Sequence, residues 1–403
     1  MVLSKIWVKA SILNLAIVAF LGIIMRYKIA FDFPFLEQRN LLYAHSHFAI
    51  LGWVTHTLYV LLFDYLSLNN VAIKNTRSYQ ILINSNLIVS YGLLLSFAFG
   101  GYNMLSTILN FASIIIAYLF TFLFFIDTKV VREELLSIRW FRAALLFNSI
   151  SSIGTFYLMH MMVTKSFTPN NYLMSLYFYL NFQYNGWFIF SVIGLFLTLI
   201  NGQKLARVSK VSYWLFFFSC PLSFFLSILW MKLPLWTYIF PLLAVIFQLI
   251  GAKGLFVEIF NNSFLKKIDI KRNLTASIIL LSFLALGIKI LLQTFSIHPE
   301  ISKLAFGFRS IVIAYLHLVF LGIATIFLIA YLIIKGYINT NKKVLASTLL
   351  FVIGVILNEL ILMIQGVGAF QYYTIPYLNE ALFGVSALMF FSVIFILKNL
   401  TKD

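Results

Sequence analysis

Apolar stretches of about 20 residues recur along the whole chain, and only short polar connections separate them. A helix needs about 20 mostly apolar residues to cross the hydrocarbon core of a bilayer. This rule predicts twelve spans, at residues 6–25, 41–64, 79–100, 103–126, 140–163, 172–200, 211–231, 236–257, 273–295, 304–333, 344–366 and 378–398. Because these spans use nearly all of the chain, we expect an all-α integral membrane protein with one polytopic domain over residues 1–403.

The composition agrees with a membrane protein and excludes several other classes. The chain is 62% hydrophobic and 10% charged, whereas a soluble domain carries about 25% charged residues. The net charge of +17 does not indicate nucleic acid as a partner, because the basic residues lie in short loops where membrane topology explains them. The lone cysteine, Cys220, excludes an internal disulfide and clusters of thiolate metal ligands.

The basic residues alternate between the two sides of the predicted spans. Twenty-one Lys and Arg residues fall on the side of the N-terminus and seven on the opposite side, while Lys289 lies within a span. The positive-inside rule therefore places both termini in the cytoplasm of a cell whose inner membrane holds the chain. Lys5 and Lys9 precede an apolar stretch as in a signal peptide, but no small-residue cleavage site follows cleanly. We therefore expect a first membrane helix there.

Spans two, six and ten share a pattern of polar residues before a glycine. The aligned glycines are Gly52, Gly186 and Gly322. The residues five positions before them are His47, Asn181 and His317, and those seven positions before them are His45, Tyr179 and Tyr315. Equivalent helices at intervals of four spans predict an internal threefold repeat of four-helix sets, and hence a pseudo-threefold arrangement.

Span two carries three of the six histidines, His45, His47 and His56. Imidazole nitrogen is a strong ligand for haem iron, copper or zinc. A low-spin haem needs one axial ligand from each side, and His45 or His47 together with His317 fits this requirement. His45 and His47 point about 200° apart on a helix, so they cannot bind the same iron. The alternative is that these histidines bind no metal and are polar residues hydrogen-bonded to neighbouring backbone or hydroxyl groups.

The remaining buried polar groups allow both structural and functional interpretations. His56 is either a proton-relay group or a packed side chain with a hydroxyl partner, whereas His160 and His298 are expected at the membrane interface. Lys289 and Glu359 are expected to form an ion pair, which is the least costly arrangement in lipid. A proton path is the functional alternative for these two residues.

Twelve spans, cytoplasmic termini and histidines on spans two and ten resemble the haem–copper oxidase subunit I superfamily. Ala44-His45 looks like the family's A-H-x-F segment on span two, which carries an axial ligand of the low-spin haem. Residues 314–319, AYLHLV, are similar to its A-H-F-H-Y-V segment on span ten. The resemblance implies that His45 and His317 bind one low-spin haem b, and that respiratory subunits are partners that donate electrons.

The chain departs from that family at the oxygen-reducing site. Tyr315 stands where the family has the histidine of the high-spin haem, and spans six to eight contain no histidine to bind copper. The arginines that meet the haem propionates are missing from residues 366–378, although Arg39 and Arg309 lie in other outer loops. The resemblance thus implies a haem site without ligands for copper, and no catalytic residue is assigned.

Three hypotheses follow. The first is a haem protein of the subunit I type that serves in electron transfer, sensing or an accessory role. The second is a divergent oxygen or nitric oxide oxidoreductase, whose rebuilt metal site uses His47, Tyr315 or His56. The third is a transporter or helper without haem, in which Lys289, Glu359 and His56 relay protons. The histidine motif of span two is also similar to the NnrS family, membrane haem–copper proteins linked to nitric oxide.

Overall fold

The computed structural model describes residues 2–31, 33–69, 71, 73–129, 136–200, 206–231, 233–261, 270–371, 373 and 375–400. Helices dominate this part of the chain. Its β structure is limited to an isolated antiparallel bridge between Ile338 and Leu400. The α-helices are α1 (Val2–Ala30), α2 (Gln38–His47), α3 (His56–Leu68), α4 (Thr76–Gly100), α5 (Met104–Thr128), α6 (Leu136–Val163), α7 (Pro169–Asn181), α8 (Ile189–Leu197), α9 (Ala206–Leu222), α10 (Ile239–Asn261), α11 (Ile270–Phe295), α12 (Pro299–Gly307), α13 (Arg309–His317), α14 (Ile326–Ile334), α15 (Lys342–Phe370) and α16 (Leu378–Lys398).

Ten helical stretches within the described residues are long and apolar enough to cross a membrane. They are Lys5–Ala30, Gln38–Leu68, Thr76–Gly100, Met104–Thr128, Lys210–Ile228, Leu235–Val257, Leu274–Phe295, Arg309–Ile334, Lys342–Ala369 and Leu378–Lys398. The chain is therefore an all-α, multi-pass membrane protein, as its apolar runs predict. Predicted spans five and six correspond to Leu136–Val163 and residues 169–197, which are helical but are not among the ten. The count of twelve spans stays a prediction.

The chain divides into two compact units. The first unit contains Met1–Val130 and Thr325–Asp403, and the second contains Val131–Ala324. In the first unit, α1 packs on α16, α16 on α15, and α4 on both α2 and α5. In the second unit, α6 packs on α7 and α8, and α9 packs on α10. The boundary at residue 324 falls within predicted span ten.

The C-terminal halves of predicted spans two, six and ten are buried on every side. Residues 56–66 of α3, residues 189–197 of α8 and residues 326–333 of α14 are all buried. The N-terminal halves differ, because α2 and α7 bury only two residues each and α13 buries none. These three spans therefore become accessible towards their N-terminal ends.

Each of these three spans contains a π-helical segment at the same place. The segments are π1 (Phe48–Thr55), π2 (Phe182–Phe188) and π3 (Leu318–Thr325). Each begins at the residue after His47, Asn181 or His317 and contains the aligned glycine. The sequence alignment of the three spans thus coincides with the same local change in helix geometry. Such π segments are often found at functional sites.

Side chains of neighbouring helices bond the carbonyls of these segments. Asn14 Nδ2 donates to the carbonyl oxygen of Gly52 over 2.6 Å, and Asn86 Nδ2 donates to that of Leu51 over 3.2 Å. In the second unit, Ser282 Oγ donates to the carbonyl oxygen of Ile323 over 2.8 Å. The Leu51 carbonyl also accepts from the backbone N–H of His56, so the side-chain contact adds to the bonding of the helix itself. Each bond satisfies a polar side chain of a neighbouring helix, which matters because lipid offers no alternative partner.

Gly186 allows the close approach of α6 to π2. A Cβ atom at this position would overlap the Cβ of Phe147. We expect Gly186→Ala to destabilise the protein by about 1–3 kcal/mol, because the clash forces a tightly packed interior to shift. Thermal unfolding of the purified protein in detergent measures this. Gly384→Ala is the matched control, since a Cβ at Gly384 meets nothing within 4 Å. Equal unfolding temperatures for the two variants would contradict the packing argument.

Candidate functional site

His45 lies on α2 and faces α1. Its Nδ1 is 3.1 Å from the carbonyl oxygen of Val18. A carbonyl oxygen only accepts hydrogen bonds, so this contact places the ring hydrogen on Nδ1 and leaves a lone pair on Nε2. The backbone of Gly22 also lies close, since a Cβ there would be 3.7 Å from His45 Cε1. The imidazole is thus held against α1 in the tautomer that can bind a metal through Nε2.

His47 faces the opposite way and lies in an aromatic cluster. Its Nδ1 is 3.0 Å from the carbonyl oxygen of Tyr43, one turn earlier on the same helix. Its ring centroid is 4.4 Å from that of Phe97 and 6.1 Å from that of Tyr102. The two histidines of span two therefore have different surroundings, as their helical spacing predicts. His45 meets the backbone of α1, and His47 packs among rings.

His317 is the last residue of α13, directly before π3. Its Nδ1 is 2.8 Å from the carbonyl oxygen of Ile313, one turn earlier. This contact again leaves Nε2 as the nitrogen that can bind a metal. His317 and its neighbours on α13 are all partly accessible. His317 belongs to the second unit and His45 to the first.

Each of the three histidines, considered by itself, leaves its Nε2 atom available to a metal. Histidines that bind metals generally donate their other ring N–H to a carbonyl or carboxylate, which fixes the tautomer and the ring orientation. His45, His47 and His317 all make this type of contact. Within the described residues, no group of three or more His, Cys, Asp or Glu side chains is placed to hold a metal ion. A low-spin haem differs from such a site because it needs two protein ligands.

The predicted arginine partners lie at the accessible ends of their helices. Arg39 is exposed on α2, and its Nε donates to Tyr43 Oη over 2.7 Å. Arg309 is exposed at the first residue of α13. Sequence reasoning missed Arg26 of α1, which it treated as a loop charge. Arg26 interacts electrostatically with both His45 and Glu359. The sequence feature that could have identified it is an arginine in the last turns of an apolar helix.

The other histidines have separate surroundings. His56 is fully buried near the backbone of Trp7, and no well-formed hydrogen bond reaches its ring nitrogens. The hydroxyl partner expected for it is therefore not found among the described residues. His160 is exposed and stacks on Tyr157, and His298 is exposed directly before α12. His160 lies near the C-terminal end of α6 and His298 lies at the N-terminal end of α12, where residues at the membrane interface are expected.

Lys289 and Glu359 each contact an amide inside their own unit. Lys289 Nζ donates to Asn185 Oδ1 in the second unit. Glu359 Oε1 accepts from Asn358 Nδ2 over 3.2 Å in the first unit. The ion pair between the two residues stays a prediction.

Asn181 and Asn185 orient that amide oxygen. Asn185 Nδ2 donates to Asn181 Oδ1 over 2.7 Å and to Ser223 Oγ over 3.0 Å, so its Oδ1 points away from both and towards Lys289. Asn181 Nδ2 in turn donates to the carbonyl oxygen of Cys220 over 3.0 Å. Predicted span six therefore carries an amide network where spans two and ten carry histidines.

The residues required by the other two hypotheses do not form one site within either unit. Tyr315 packs edge-on against Tyr184, with ring centroids 5.8 Å apart, in the second unit. His47 and His56 belong to the first unit. Lys289 and Glu359 likewise belong to different units. Neither a rebuilt metal site nor a proton relay gains support from the contacts made inside each unit.

Comparison with known proteins adds no family assignment. No protein-family model matches the chain, and no curated protein matches its sequence. The resemblance to haem–copper oxidase subunit I stays a prediction from the residues named above.

A hydrogen bond inside the first unit joins predicted span two to the C-terminal part of predicted span ten. Trp53 Nε1 donates to Thr325 Oγ1 over 2.9 Å, and both side chains are buried. We expect Thr325→Val to destabilise the protein by about 1–3 kcal/mol, because it leaves the indole N–H buried without an acceptor. Thermal unfolding with tryptophan fluorescence measures this. Thr107→Val, at an exposed position on α5, is the control. A Thr325→Val variant as stable as this control would contradict the assignment.

Proposed function

We propose that the protein is a membrane haem protein that binds one low-spin haem b through His45 and His317. Its role in this proposal is electron transfer, sensing or support of a respiratory complex. The spans form the pseudo-threefold arrangement of a subunit I-like protein, with both termini in the cytoplasm and the chain in the inner membrane. Subunits that donate electrons are its partners.

The observation that carries the proposal is the position of the two histidines relative to one hydrogen bond. Trp53 of π1 bonds Thr325 of π3 inside the first unit. His45 precedes Trp53 by eight residues, and His317 precedes Thr325 by the same number. A π segment lies within both intervals. On two spans that run in the same direction, equal offsets correspond to equal depths in the membrane, as a pair of axial ligands requires.

The orientation of the rings supports the same assignment. The Nδ1 atoms of His45 and His317 both bond backbone carbonyls, so Nε2 is the ligating nitrogen in each. His45 rather than His47 is the proposed ligand on span two, because His47 packs among the rings of Phe97 and Tyr102. A carbonyl of a different helix holds His45, which limits rotation of its ring.

The remaining residues of the proposed site contribute to haem binding and to the charge around the haem. Bound haem supplies one-electron chemistry, with a potential that its axial ligands and surroundings set. Arg26 lies near His45, and Arg39 and Arg309 lie at the outer ends of α2 and α13. These three cations are the proposed partners of the propionates. Tyr315 stands where the family's high-spin haem has its ligand, so the proposal includes no oxygen-reducing centre.

Haem binding is tested by a pyridine haemochrome assay and an absorption spectrum of the purified protein. We expect about one haem b per chain, with the narrow α-band of a six-coordinate, bis-histidine iron. His45→Ala and His317→Ala should each abolish the low-spin spectrum, because a five-coordinate iron is left. His160→Ala and His47→Phe are the controls and should keep it.

Two results would contradict the proposal. One is purified wild-type protein, supplied with haem during expression, that contains none. The other is a low-spin spectrum that survives both the His45→Ala and the His317→Ala substitution. Carbon monoxide should not perturb the reduced wild-type spectrum, whereas an oxygen or nitric oxide reductase with an open iron position would bind it.

A further inference from the structure

Helices α6 and α9 lie side by side in the second unit and begin at the same end. The ring centroid of Trp140 on α6 is 5.4 Å from that of Tyr213 on α9. Further along both helices, the ring centroids of Phe147 and Phe217 are 5.2 Å apart. Because the second contact lies later in both sequences, the two helices run in the same direction, as expected for predicted spans five and seven.

The outward sides of the two helices carry residues in the same order. On α9, the exposed residues Lys210, Trp214 and Phe218 follow one another at intervals of one turn. The rings of Trp214 and Phe218 stack with their centroids 5.7 Å apart. On α6, the partly exposed Arg142 precedes the exposed Leu146 by one turn. Each helix therefore places a cation one turn before an exposed apolar side chain.

Tyr213 and Phe217 lie between these two rows of residues. Both are partly exposed, and both contact aromatic rings of α6. Their own rings are 5.9 Å apart, so they form a continuous apolar surface along the junction of the two helices. We call this surface, with its flanking residues Leu146 and Trp214, the α6–α9 groove.

The cations lie at the level of the membrane surface. Lys210 is the first residue of the apolar stretch Lys210–Ile228, so α9 enters the hydrocarbon region there. Trp214 follows one turn later, and tryptophan is enriched at the level of the lipid headgroups. The groove thus begins among charged residues at the surface and continues into the apolar part of the bilayer.

Two guanidinium groups lie at the charged end of the groove. Arg139 and Arg142 are about one turn apart on α6, and both interact electrostatically with Tyr213. A guanidinium carries five N–H donors, so it can bind a phosphate and keep its other contacts. Residues 131–142 and 201–210, which lead into the two helices, contain six Lys and Arg residues and two Glu residues. This end of the groove is therefore suited to an anionic group.

An anionic phospholipid matches both parts of the groove. Basic pockets between membrane helices bind lipid headgroups through phosphate. A soluble anion would contact the cations alone, whereas a lipid also covers the aromatic surface below them. The aromatic rings supply an apolar surface for an acyl chain, which gains free energy in proportion to the apolar area removed from water or from a less closely packed contact.

We propose that the α6–α9 groove binds one anionic phospholipid. Its phosphodiester accepts hydrogen bonds from Arg139 and Arg142, and Lys210 adds a third positive charge. One acyl chain lies along Phe217 beside Trp214. The site lies wholly inside the second unit and uses none of the histidines, so it is independent of the proposed haem.

Thermal unfolding in a neutral detergent tests this site, with phosphatidylglycerol or phosphatidylcholine added in equal amounts. We expect phosphatidylglycerol to raise the unfolding temperature of the wild type by about 5 °C in a saturable way, because a ligand that binds only the folded state stabilises it. Phosphatidylcholine has the same acyl chains without net charge, and its effect should be less than half as large.

Substitution of the two arginines tests which residues bind the headgroup. The double variant Arg139→Gln, Arg142→Gln should lose the difference between the two lipids. Arg77→Gln is the control, because Arg77 is an exposed arginine in the first turn of α4 in the first unit. This control should respond to phosphatidylglycerol like the wild type.

Photo-cross-linking of the wild type provides a test that does not depend on how well the double variant folds. A phosphatidylglycerol with a diazirine in one acyl chain should label the peptide that contains Trp214, Phe217 and Phe218. Labelling that avoids this peptide would overturn the proposal. Equal stabilisation by the two lipids, an unchanged response of the double variant, or an equal shift with glycerol phosphate alone would also overturn it.

Discussion

Lipid offers no hydrogen-bond partners, so each polar group on a membrane span must be satisfied by the protein or by a bound ligand. This constraint acts most strongly on predicted spans two, six and ten, whose C-terminal halves are buried on every side. Asn14, Asn86 and Ser282 of neighbouring helices are satisfied by donating hydrogen bonds to carbonyl oxygens of two of their π segments.

The three spans satisfy their polar residues in two different ways at one register. Span six carries Asn181, whose amide joins a network that ends at Lys289. Spans two and ten carry histidines, whose Nδ1 atoms bond carbonyls. Directly before their π segments, span six carries an amide network and spans two and ten carry histidines. In our proposal the iron ligands are His317 at this position and His45 two residues before it.

Local sequence properties predicted the helices well. Each of the twelve predicted spans overlaps a helical run, because length and hydropathy depend on neighbouring residues only. The alignment on Gly52, Gly186 and Gly322 identified equivalent positions, and the π segments share its register. The π geometry itself has no local signature in a stretch such as residues 48–55, where the residues are mostly apolar.

Contacts between distant parts of the chain were harder to predict. The contact of Lys289 with Asn185 was not predicted, because the orientation of Asn185 depends on Asn181 and Ser223, which are distant in sequence from Lys289. The proximity of Arg26 to His45 likewise depends on how α1 packs against α2.

The central claim is that two imidazoles, from His45 and His317, bind one iron. Pulsed electron paramagnetic resonance of the ferric protein, labelled with ¹⁵N-histidine, tests this claim most directly. The account predicts couplings from two equivalent imidazole nitrogens on a low-spin iron. Coupling to a single imidazole, or a high-spin iron in the wild type, would contradict it.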